Sequence, residues 1–146
     1  MKKKNKLKVI VVLGLLITLI GFNKIGIAGD DNIGWSFTIN PYHANSYSTG
    51  RYRQTKSTSN PWKVKLNESG EGKGTITTFW LAKQVEPQYW QVASVTKNVK
   101  QGEKKATYSG ANKSANQSTV SLAAENNNYS ANSYTAKGIW DEETWD

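Results

Sequence analysis

Residues 60–81 read NPWKVKLNESGEGKGTITTFWL, and this stretch decides the fold class. Trp62, Val64 and Leu66 alternate with Lys63, Lys65 and Asn67, giving one apolar and one wet face, the period of a half-buried strand. Residues 69–74 (SGEGKG) then place three glycines where the chain must turn, at positions suited to positive φ. Residues 75–81 (TITTFWL) are almost wholly β-branched or aromatic, a composition that fits a pleated, buried surface. The expectation is a β-hairpin in which Phe79 and Trp80 point to opposite faces.

The same period extends in both directions. Trp35, Phe37 and Ile39 alternate with Ser36, Thr38 and Asn40 in a strand closed by Pro41. Residues 42–50 have loop composition. Residues 51–55 read as a strand with Tyr52 on one side and Arg51 and Arg53 on the other. Residues 89–95, 106–109, 118–124 and 134–140 supply further strands, separated by turn-forming stretches at 96–105, 110–117 and 125–132. Helical periodicity is absent beyond residue 28. Seven or eight short strands predict a single antiparallel β-sandwich, with a closed barrel as the competing topology. Its expected core is Trp35, Phe37, Trp62, Val64, Ile76, Trp80, Val120, Leu122, Tyr134 and Trp140.

At the start of the chain, five lysines within the first eight residues precede the apolar run 9–22 (VIVVLGLLITLIGF). Gly26-Ile27-Ala28 then supplies small residues at −3 and −1. This is the three-part pattern of a secretory signal peptide, with cleavage expected after Ala28. A membrane anchor needs roughly 17–25 apolar residues, and Lys24 interrupts this run too early. The expected partners in export are the general secretion machinery and signal peptidase, and the expected location is extracellular.

Removing residues 1–28 takes away six lysines and no acid, so the formal net charge falls from +8 to +2. Binding to nucleic acid, which an excess of +8 would suggest, is therefore not expected. The remaining 118 residues suit one domain. With no cysteine, that domain depends on burial, and all six tryptophans lie within it. Four Asn-x-Ser triplets, at Asn67, Asn112, Asn116 and Asn128, would be glycosylation sites in a eukaryotic secretory pathway and plain polar loop composition in a bacterium, and the second is the expectation.

Catalytic chemistry has little to use here. His43 is the single histidine and there is no thiol, so a nucleophile–base pair and a zinc site both lack their usual residues. Glu68, Glu71, Glu86 and Glu103 sit in or beside polar turns, and Glu125 ends an apolar strand. None forms an evident pair of the kind glycoside hydrolysis needs. The acidic end, residues 141–146, offers oxygens without the ligand spacing of a calcium loop. A non-enzymatic protein without cofactor or metal is expected. Two features suggest binding instead. Arg51 and Arg53, the sole arginines, would present two planar forks to a carboxylate or phosphate. Tyr42, Tyr47 and Trp145 fall outside the predicted strands, where exposed rings would stack on sugars or rest at a membrane interface.

The segments WSFTI (35–39), GRYRQT (50–55), NPWKV (60–64), AENNNY (124–129) and GIWDEETW (138–145), together with residues 69–81, resemble an uncharacterised family of small secreted proteins from bacilli and related Gram-positive bacteria. The chain is more loosely similar to lactococcin-type bacteriocins, which are secreted, cysteine-free and rich in aromatics, Ser, Gly and Asn. The resemblance transfers no catalytic residue. The leader, the absence of disulfides and the surplus of aromatics, with the bacteriocin likeness as a prior, give the expectation of a protein acting at the Gram-positive cell envelope in a bacteriocin-like manner. The alternative is a non-toxic module for wall polymer or carbohydrate. Either way the expected partner is an envelope component: wall polymer, carbohydrate or membrane surface.

Overall fold

The computed structural model describes residues 31–145, and the expected leader and its cleavage site lie outside them. Ten strands follow in chain order: β1 (Ile33–Ile39), β2 (Ser46–Tyr47), β3 (Arg51–Arg53), β4 (Trp62–Ser69), β5 (Ile76–Glu86), β6 (Tyr89–Val92), β7 (Lys97–Lys100), β8 (Thr107–Ser109), β9 (Ser118–Asn126) and β10 (Tyr134–Asp141). A 3-10 turn at Lys113–Ala115 precedes β9. All pairings are antiparallel. One sheet has the order β1-β10-β4-β8; the other runs β2-β9-β5-β6, with β3 continuing beside β9 and β7 beside β5. The β-sandwich is as the period-2 pattern predicts.

The expected hairpin is not formed. β4 pairs with β10 and β8, whereas β5 pairs with β9, β6 and β7, so the two strands belong to different sheets. Alternation shows which face of a strand is buried but carries no information about its partner. The glycine-rich connection is long enough to cross the roughly 10 Å between packed sheets. Gly72 (φ 122°) and Gly74 (φ 74°) do take the left-handed conformations that the turn reading called for.

Between the sheets, Trp62, Val64, Leu66, Trp35, Ile39 and Trp140 from one layer meet Phe79, Leu81, Val120, Leu122 and Ala124 from the other. Two expected core residues are placed differently. On β5 the inward set is Thr77, Phe79 and Leu81, so Ile76 and Trp80 point outward by strand parity. Trp80 is still buried, in a second cluster with Ala82 and Ala123 beneath Tyr47 and Trp90. Phe37 is half-buried against the main core. Lys63, expected in water, is buried in register between Asp141 and Tyr108. Residues 97–100, read as a turn, form β7, anchored by the single buried side chain of Val99. The run at 89–95 is only half a strand: β6 stops at Val92, and Tyr89, Val92 and Val95 are exposed.

Candidate functional site

Among the described residues, β1 has no strand beyond it in its sheet, and β2 with β3 forms the facing edge of the other. Between these two edges lies a groove of about 510 Å³, within the usual range for ligand pockets. Trp35, Phe37 and Trp140 line it from the first sheet, with Ile33, Gly34 and Ser36; Tyr47, Ser48, Thr49, Gly50 and Arg51 line it from the second. Alternation on β1 makes this lining two-toned: Trp35 and Phe37 turn toward the core while Gly34 and Ser36 face solvent. The Trp35 and Phe37 rings are 4.9 Å apart, and the Trp35 ring meets Phe79 edge-on at 5.3 Å. Two smaller depressions, of about 430 and 400 Å³, share residues with the groove. The first shares Gly34, Trp35 and Ser36 with it, and the second is reached through Ser36, Glu68 and Lys137.

Arg51 lines the groove, but its charge is already compensated from within. Nε donates to the Glu142 carboxylate, and Nη2 lies 3.9 Å from Asp31 Oδ2. The hydrogen bond to Glu142 raises the pKa of the guanidinium further, against a smaller opposing effect of burial. Arg53, on the same strand face, is fully buried. It donates to the backbone carbonyls of Glu142, Asn60 and Ser57 and to Asn116 Oδ1. Burial lowers its pKa, countered in part by Glu143, Glu142 and Asp141.

The acidic end is thus an internal partner. The Glu143 carboxylate accepts the backbone N–H groups of Gln54 at 2.8 Å and Thr55 at 2.7 Å. Thr144 bonds the carbonyl of Pro61 through both N–H (2.7 Å) and Oγ1 (3.0 Å). Asp141 accepts from the backbone N–H of Glu143 and of Asp31, yet burial pushes its carboxyl up to about 7. Among the described residues, no group of three or more His, Asp or Glu side chains is arranged to hold a metal ion.

Of the five residues singled out for binding, Tyr47 and Arg51 line the groove and Arg53 lies buried behind it. Trp145 projects past the acidic end, 46% exposed. Tyr42 is 54% exposed, in the loop after β1 at the opposite end of the sandwich. The structure therefore does not gather the five at one place. The groove residues missed in the sequence are Trp35, Phe37 and Trp140, which strand alternation assigns to the core. The one available signal was charge: the two arginines are matched by a run of acids elsewhere in the chain.

Fold and groove together define a small two-sheet antiparallel β-sandwich with a groove along one side, where Phe37 and Tyr47 are half-buried. The chain belongs to the family described as "Protein of unknown function (DUF2712)", which matches residues 24–144. No curated protein and no solved structure matches the chain. Among the described residues, no helix is long and apolar enough to cross a membrane.

Proposed function

We propose that the chain is a secreted, non-enzymatic protein acting at the envelope of Gram-positive cells, and that the groove beside Trp35 is where it holds an extended wall polymer. The observation carrying this reading is the lining itself: the half-buried rings of Phe37 and Tyr47, backed by the buried Trp35 and Trp140, stand beside the hydroxyl-bearing Ser36, Ser48 and Thr49. Rings that stack and small groups that hydrogen-bond are the means of holding a sugar polymer without a catalytic group. Because Asp31 and Glu142 already compensate Arg51, the reading favours stacking over capture of polymer phosphate by a free arginine fork.

A bacteriocin-like action is the form of this proposal in which binding arrests growth. A wall-binding module is the form in which it does not. Purified protein, sedimented with isolated Gram-positive cell walls and in parallel assayed for growth inhibition of related strains, tests both. Pelleting with inhibition supports the bacteriocin-like form, and pelleting alone supports the module. Neither effect across a broad strain panel removes the proposal.

A further inference from the structure

The end of the sandwich away from the acidic segment carries an arrangement that the groove does not use. After β1, residues 41–44 form a tight turn closed by a 3.0 Å bond from the Ala44 N–H to the Pro41 carbonyl. Both central residues have left-handed backbone, Tyr42 at φ 55° and His43 at φ 58°. Positive φ at both centres belongs to the mirror-image turn that strongly prefers Asn-Gly. A tyrosine and a histidine there are conformationally disfavoured, and such outliers collect at functional sites.

The turn is held firmly. Tyr42 N–H donates to the Ser130 carbonyl at 2.8 Å, tying it to the loop between β9 and β10. Asn40 Nδ2 donates to the Asn45 carbonyl at 2.9 Å, and Asn45 Nδ2 to the Tyr47 hydroxyl at 3.2 Å. These bonds set three rings together in the open: Tyr129 lies 5.3 Å from Tyr42 and 5.5 Å from His43. Tyr129 is 75% exposed, so the cluster covers no core.

What surrounds the rings narrows the ligand. Residues 40–46 (NPYHANS) and 127–133 (NNYSANS) contain no Lys, Arg, Asp or Glu. Glu71 is turned inward: one carboxylate oxygen accepts from Asn126 Nδ2 at 3.1 Å, and the other is buried. A membrane surface would call for basic residues around the rings, and an anionic polymer for a cation. Amides and hydroxyls around exposed rings instead match a neutral, hydroxyl-rich partner. We propose that Tyr42, His43 and Tyr129 form a second binding site, separate from the groove, for the apolar face of an uncharged saccharide ring, and that the strained turn exists to present it.

The test is an NMR titration of the tyrosine ring signals with soluble oligomers of glucose, N-acetylglucosamine, mannose and galactose, and separately with phosphatidylcholine and phosphatidylglycerol vesicles. At least one sugar should shift the Tyr42 and Tyr129 rings, and Tyr129→Ala should weaken that binding about tenfold. Replacing the turn centre by Tyr42→Asn with His43→Gly should raise Tm by about 4 °C or more while abolishing the shifts. Phe37→Ala, in the groove, should leave this titration unchanged, so failure of one site is distinguishable from failure of the other. Rings that respond to no sugar, or to vesicles alone, overturn the proposal, as does a turn variant that binds like its parent or melts lower.

Discussion

Arg53 donates from Nη1 to the backbone carbonyl of Glu142, so a fully buried guanidinium holds the acidic end of the chain in place. Its remaining donors serve Asn60, Ser57 and Asn116, which joins the segment before β4, the loop before β9 and the end of β10 at one point. Lysine cannot reproduce that fork. Arg53→Lys should therefore destabilise the protein by roughly 2–4 kcal/mol, because buried carbonyls lose their donors. Urea unfolding measures this, and a loss below about 1 kcal/mol would contradict the role given to Arg53.

Asp141 sets a pH dependence of a definite sign. Its carboxyl titrates at about 7 in the folded chain, compared with about 3.9 when unfolded. The folded state holds the extra proton between those values, so this residue's contribution is fully present below about pH 4 and is lost as pH rises through about 7. The slope is at most about 1.4 kcal/mol per pH unit. Facing Asp141 are Lys63, across the strand pair, and Arg51, Arg53, Glu142 and Asp31. Unfolding curves at pH 4, 5.5 and 7.5 should show a weaker decline for Asp141→Asn than for the parent. Equal declines would show that the proton sits elsewhere.

Gly138 faces the backbone of β4 at a bulge in the β10 pairing. A β-carbon there would lie 1.8 Å from the Lys65 carbonyl oxygen and 3.1 Å from Trp35 Cζ2. Backbone cannot step aside as a flexible side chain can. Gly138→Ala should cost roughly 3 kcal/mol or more and lower Tm sharply. A thermal melt matching the parent would rule out the register.

Two buried tryptophans offer a matched comparison. The Trp62 indole N–H donates to the Gly110 carbonyl at 3.3 Å, while Trp35 Nε1 is buried with no acceptor among the described residues. Replacement by phenylalanine removes ring volume at both sites but a hydrogen bond only at Trp62. Trp62→Phe should thus cost about 1–2 kcal/mol more than Trp35→Phe. The reverse order in chemical denaturation would mean that Trp35 has a partner in solution.

Much of this architecture is legible in the chain because a strand's two faces are written locally. Trp35, Trp62, Leu122 and Trp140 can each be assigned inward from their immediate neighbours. Pairing is not local, so residues 60–81 read as a hairpin although β4 and β5 join different sheets. β7 escaped notice because Val99 alone marks its buried face. The site was harder still. The groove is made where two sheet edges meet, and its aromatic walls are residues that alternation assigns to the core. Arg51 and Arg53 looked like a pair offered to solvent because their partners, Glu142 and Glu143, lie about ninety residues away.

The claim that the groove holds wall polymer is tested most directly by co-sedimentation of the parent and Phe37→Ala with isolated Gram-positive cell walls, both checked for the same β-rich circular dichroism. Phe37 is half-buried at the groove wall, so its ring can be removed without emptying the centre of the core. The parent should pellet with little dependence on salt, since Arg51 is already paired, and Phe37→Ala should bind about tenfold more weakly. Equal pelleting of the two folded proteins, or loss of the parent's binding at moderate salt, would contradict the groove as the recognition surface.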